Sequence, residues 1–196
     1  MDYLLIEFLG VFFLSFFRAL GNFAVVAADS DLLKNECKPF VNAIISALTL
    51  FIFLVCARNV SKGMFNPVFA VVENLWHHMT VETALGYITA HILASLLATS
   101  ILTITLPFKY LSTARLSLGV ARINPANDEF SLFTMEMVGS FILFFAYLYY
   151  QASGKKSDPY LSCFFYAFAS GALQLATYSY NGGAYNLGTM VGGLLF

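Results

Sequence analysis

Seven apolar runs dominate this chain, and their lengths fall into two classes. Leu4–Ala28, Phe40–Ala57, Ala84–Leu106, Phe130–Tyr150 and Tyr160–Tyr178 are long enough to cross a bilayer, which takes about 20 largely apolar residues. Pro67–Trp76 and Leu187–Phe196 reach only about 15 Å at 1.5 Å per residue, half of a hydrocarbon core. With 59% hydrophobic and 11% charged residues, the chain lies far from a soluble domain, in which about 25% are charged. Its solvent is a lipid bilayer. The first run is too long for a signal-peptide core and has no small-residue cleavage site, so it reads as a retained span. A net charge of −1 gives no reason to expect a nucleic-acid partner.

A half-length apolar helix either lies on the surface, where it needs a strongly charged face, or re-enters the membrane. "PVFAVVENLW" carries one charge, Glu73, and "LGTMVGGLLF" carries none, so both are expected to re-enter. Backbone that stops at membrane depth must be satisfied inside protein or beside a water-filled cavity. Asn66 before Pro67 meets that demand: the Asn side chain caps the first-turn amides, and proline at the first helical position wastes no donor. The literal Asn-Pro-Ala in "INPANDEF" opens in a polar loop and leads into a full span, where Asn124 is expected only to start a helix.

The chain also repeats itself. "EFLGVFFLSFF" from Glu7 matches "EMVGSFILFFA" from Glu136, each with an acid and then a glycine three residues on. "GMFNPV" from Gly63 matches "GAYNLG" from Gly183. Each half thus reads as span, span, Asn-led half-helix, and an odd number of intervening spans gives the halves opposite orientations. The half-helices then enter from opposite faces and meet Asn to Asn near the midplane. Two positive helix ends facing one cavity oppose cations and protons and leave neutral molecules unaffected. The expected organisation is a single membrane domain, 1–196, with a first repeat over 1–107 and a second, incomplete repeat over 130–196.

In these motifs the chain resembles the aquaporin, or major intrinsic protein, family. "EFLGVFFLSFF" is similar to its first-span Glu-x-x-Gly-Thr-Phe pattern, and "NVSKGMFNPV" to its His-Ile-Ser-Gly-Ala-His-x-Asn-Pro-Ala. "YITAHILAS" resembles its third-span Tyr-x-x-Ala-Gln-x-x-Gly-Ala, with His91 for Gln, and "NGGAYNLGTMVG" its second Asn box. The resemblance implies an all-α inverted repeat of five transmembrane helices and two re-entrant half-helices, over 66–76 and 186–196. It places Asn66, Pro67, Val68 and Asn186, Leu187, Gly188 at the pore midplane. Counted without gaps, the family's constriction falls on Ser46, Gln174, Gly183 and Thr189. Glu7 and Glu136 take the role of buried acids accepting backbone donors from the re-entrant loops, with a proton or ion relay as the alternative. His91, alone on a packed span, is expected to be a satisfied hydrogen-bonding residue, with a pH-sensitive gate as the alternative.

The departures bear on function. Leu187-Gly188 replaces Pro-Ala, Thr189 stands where the family has an arginine, and Met64 replaces a histidine. A Ser, Gln, Gly and Thr lining is expected to be polar, uncharged and wider than a strict water filter. Gly188 is expected to weaken its helix by roughly 1 kcal/mol relative to Ala. The family's sixth span follows the second half-helix, where this sequence reaches Phe196. Unless the polypeptide continues, a homo-oligomer or other membrane subunits are expected to cover that flank. These departures favour a transport-degenerate structural subunit of a larger membrane assembly; the alternative is a passive channel for water or small neutral solutes such as glycerol.

No residues suggest an enzyme, a cofactor or a metal. The three cysteines show no metal-type spacing, and Glu73 with the adjacent His77 and His78 is the nearest approach to a cluster. Arg18 shares a helix face with Glu7 about 16 Å away and is expected to snorkel or to meet a partner subunit. Trp76 is expected at the interface, and Asn59-Val60-Ser61, though a glycosylation pattern, is expected to go unused. Ala43 and Ala47, with Ala167 and Gly171, suit a close helix crossing. Lys34, Lys38, Lys109, Arg115 and Arg122 on one side balance Arg58, Lys62, Lys155 and Lys156 on the other, so charge does not orient the chain. Plasma, vacuolar and mitochondrial membranes all remain open.

Overall fold

In hydrocarbon a backbone must satisfy its own hydrogen bonds, and helices do so within one segment. The computed structural model describes residues 2–27, 37–106, 128–153, 158–183 and 185–195, and its regular structure among these is helical. In chain order the helices are α1 (Asp2–Ala27), α2 (Lys38–Ala57), α3 (Pro67–Leu75), α4 (Val81–Thr105), α5 (Glu129–Ser153), α6 (Pro159–Asn181) and α7 (Leu187–Leu195). Helices α1, α2, α4 and α5 are long and apolar enough to cross a membrane. At 23 residues, α6 spans about 35 Å. With 9 residues each, α3 and α7 reach about 13 Å and are half-helices.

The boundaries follow local chemistry. Thr80 caps α4 by accepting from the Thr83 amide, and Asp158 caps α6 by accepting from Tyr160 N at 2.9 Å. Helix α5 begins under Asp128, whose Oδ1 accepts from Ser131 N at 2.6 Å. Asn124, the expected helix start, lies outside the described residues, as do Lys34, Lys109, Arg115, Arg122, Lys155 and Lys156. Gly182 ends α6 with φ of 72°, a left-handed position that glycine takes without a Cβ penalty.

Helix α1 is central, packing on α2, α4 and α7; α2 crosses α6, α5 packs on α6, and α4 carries both half-helices. Lipid tails are as apolar as the side chains, so these contacts depend on close packing and hydrogen bonds. At the α2–α6 crossing a Cβ on Gly171 would lie 2.9 Å from Ala47 Cβ and 3.0 Å from Ala43 O, so the small residues singled out above set the approach. The core gathers Val11, Leu50, Leu54, Phe65, Phe69, Tyr147 and Tyr166, while Leu48, Ile52, Phe141, Phe145 and Phe168 point outward, as a lipid-facing surface requires.

Candidate functional site

The site begins with Glu7. Its carboxylate, wholly buried, accepts from Ser61 Oγ (2.8 Å) and Met64 N (3.1 Å) at Oε1, and from Phe65 N (2.9 Å) at Oε2. His91 Nε2 lies 3.0 Å from Oε2. Three directed donors thus converge on this carboxyl group, with the His91 ring beside them. The chain it grips turns sharply, with positive φ at Gly63 (60°) and, unusually for a side-chain-bearing residue, at Phe65 (47°). Those charge-assisted bonds hold the turn that delivers Asn66 to the midplane.

Asn66 then caps α3, its Oδ1 accepting from Val68 N at 3.2 Å, with Pro67 in the first turn. Asn186 does the same for α7, its Oδ1 accepting from Gly188 N at 2.9 Å. Each Asn reaches across to the other half: Asn66 Nδ2 donates to Tyr185 O (3.2 Å) and Asn186 Nδ2 to Phe65 O (2.6 Å). The two half-helices therefore meet amino end to amino end through a reciprocal clasp. An amide nitrogen carries two hydrogens, so each Asn spends one on the clasp and keeps one for the adjoining cavity. Gly188 serves this junction. A Cβ there would lie 3.0 Å from Pro67 Cδ and 3.1 Å from Asn186 Oδ1, so the residue expected only to weaken α7 also permits close abutment.

The second turn departs from expectation, since among the described residues Glu136 accepts from a side chain, Asn181, rather than from main-chain amides. Ser61 Oγ accepts from Gly63 N (3.1 Å) while donating to Glu7; Asn181 Oδ1 accepts from Gly183 N (2.8 Å) while its Nδ2 donates to Glu136 Oε1 (2.5 Å). A Cβ at Gly10 would lie 2.2 Å from the Phe65 ring, and one at Gly139 the same distance from the Tyr185 ring. Each Glu-x-x-Gly motif thus provides an acid for the turn and a seat for the aromatic ring before the Asn.

A cavity of about 30 Å³ adjoins the clasp, ample for water, which needs roughly 10–15 Å³ on this measure. Leu14, Leu50, Phe65, Leu143 and Tyr166 supply apolar or aromatic lining; Asn66, Asn186, Ser46, Ser170, Gln174 and Thr189 supply polar lining. Three of the four expected constriction residues, Ser46, Gln174 and Thr189, line it, and Gly183 contributes a carbonyl beside it. Val68 and Leu187 sit in the first turns of the half-helices, each partly exposed.

Two expectations are corrected here. The lining is not uncharged, because Arg18 belongs to it. Nor does Arg18 snorkel outward: it is only 6% exposed and its Nη2 donates to Gly182 O and Gly183 O, both at 2.9 Å. Packing turns this face of α1 inward, so Glu7, Leu14 and Arg18 descend one stripe from the first turn to the clasp to the second turn. Phe65 and Tyr185 line the same cavity beside Arg18. Sequence reasoning also missed Ser61 and Asn181, although each stands two residues before the glycine of its repeat. Glu73 is engaged by Lys62 Nζ at 2.5 Å, with His78 Nδ1 at 3.5 Å from the same oxygen.

Helices that traverse a membrane, with two re-entrant half-helices abutting at an Asn clasp beside a polar cavity, define the class: an integral, multi-pass membrane protein with channel architecture. The sequence profile described as Major intrinsic protein matches residues 1–196, and the chain belongs to that family. No curated protein matches it closely by sequence. Among solved structures it is similar to the aquaglyceroporin from Plasmodium falciparum, with a TM-score of 0.76, 16% identity, and coverage of 99% of this chain and 79% of that one. At that identity the likeness concerns the fold.

Proposed function

We propose that the chain is a passive channel whose permeant is water, with small neutral solutes such as glycerol as the wider class. The carrying observation is a set of buried polar atoms beside the clasp, Ser46 Oγ, Gln174 Oε1 and Arg18 Nε, which have no protein hydrogen-bond partner among the described residues. Buried polar groups are costly when unmade, so such a set favours a hydrogen-bonding occupant. The apolar part of the lining offers that occupant few competing partners and lets it move on. The expectation of a transport-degenerate structural subunit drew on the altered second box, the missing arginine, the histidine replaced by Met64 and the uncovered flank of the second half-helix. Asn186 nevertheless keeps both of its bonds, and Arg18 brings a guanidinium to the cavity, so the first two reasons weaken.

The test is osmotic shrinkage of vesicles holding the purified chain, followed by light scattering. Water flux is expected well above that of protein-free vesicles and is expected to fall to their level in Ser46→Trp, which fills the cavity. Flux equal to that of empty vesicles, from folded protein, overturns the channel reading. Purification only within a stable hetero-complex would favour the structural one.

A further inference from the structure

Arg18 is a buried cation with unusual company. Among the described residues no carboxylate forms an ion pair with it. Its fixed contacts are two main-chain carbonyls of the turn that leads to Asn186, both taken by Nη2. A guanidinium has five N–H donors, so this contact leaves three, of which Nε–H has no protein partner among the described residues. Ser46 Oγ and Gln174 Oε1, also without a partner among the described residues, belong to residues that line the same cavity. A buried charge without a counter-ion is expensive, and carbonyl dipoles from a rigid turn offset only part of that cost. The arrangement holds a permanent positive charge, with donors to spare, against the water-sized passage.

Resting on the channel reading above, we propose that Arg18 of α1 is the specificity-determining residue of the pore: it repels cations and donates hydrogen bonds to the neutral permeant. The charge thus comes from the first span rather than from the half-helix that follows Asn186, where Thr189 instead bonds back to Asn186 O at 2.9 Å. The function is one-sided. Matching the Glu-x-x-Gly motifs puts Tyr147 of α5, wholly buried in the core, at the position equivalent to Arg18, so the second repeat carries no charge there. Arginine suits the task because it stays charged and, with Nη2 holding the two carbonyls, keeps Nη1 and Nε donors free, whereas lysine keeps the charge with fewer donors.

The experiment measures sodium and potassium currents, alongside water flux, for the wild type, Arg18→Gln, Arg18→Ala and Arg18→Lys in planar bilayers and vesicles. The neutral variants are expected to fold and to raise cation conductance by about a hundredfold. That figure follows from removing a unit charge about 6 Å from the ion at an effective dielectric of about 20. Arg18→Lys is expected to stay cation-tight. The proposal is overturned if folded Arg18→Gln is as cation-tight as the wild type. It is also overturned if neither neutral variant folds, which would assign Arg18 to clamping the Gly182–Gly183 turn alone. A wild type that passes no water refutes the channel reading; a wild type that passes water beside a cation-tight Arg18→Gln refutes only the role of Arg18.

Discussion

The two halves of the molecule solve one problem with different materials. In the first, Glu7 grips the turn directly through two main-chain amides and Ser61, and proline starts the half-helix. In the second, Glu136 is joined to the turn through Asn181, and leucine and glycine start the half-helix. Phe65 and Tyr185 occupy equivalent seats over Gly10 and Gly139, yet the first turn takes its anchor from an acid and the second also receives a guanidinium from α1. Equivalence in position survives where backbone geometry demands it, at the two glycines and the two asparagines. The side chains that anchor those positions are free to differ, because any strong hydrogen-bonding partner of the right reach will do.

That comparison is most severely tested at the glycine seats. Gly10→Leu and Gly139→Leu should each cost about 3 kcal/mol or more, since a side chain there overlaps an aromatic ring that has nowhere to go. Both variants are expected to elute as aggregates rather than as a single detergent-solubilised species, and tolerance at one seat alone would break the equivalence. The acids should show the opposite pattern. Glu7→Gln is expected to lower stability by roughly 3 kcal/mol, because a neutral amide cannot accept all of its bonds with the same strength, and Glu136→Gln by about 1 kcal/mol. Thermal unfolding in detergent measures both, and equal losses would mean that the second turn relies on its acid as heavily as the first.

The clasp should behave symmetrically. Asn66→Ala and Asn186→Ala each remove a cap, for about 1 kcal/mol. Their double variant should fall short of additivity, since either single change already loosens the junction. Strict additivity would show that the two half-helices do not depend on one another. The smallest effect is expected at Gly188→Ala. Alanine favours the helix by up to about 1 kcal/mol, but its Cβ would press on Pro67 Cδ, so a net loss below about 1 kcal/mol is expected. A clear gain in melting temperature would show that the junction has slack.

Chain length and pattern alone determined much of this protein. The long helices and the two half-helices are legible because a bilayer sets the length a span needs, and polar connections separate the runs. Opposed half-helices follow from counting spans, and their capping by Asn66 and Asn186 follows from the orphan amides that begin any helix. Glu7 and Glu136 stood out because an acid in hydrocarbon needs a partner. What only the tertiary structure decided was which partner each polar group meets. Arg18 and the carbonyl of Gly182 lie 164 residues apart in sequence, and nothing in local pattern joins them. Arg18 could as well have faced lipid or a neighbouring subunit; the packing of α1 against α2, α4 and α7 set the rotation that turned it inward. Helix formation is settled within a segment by its own backbone, whereas the direction in which a side chain points into a shared cavity is settled by the helices around it.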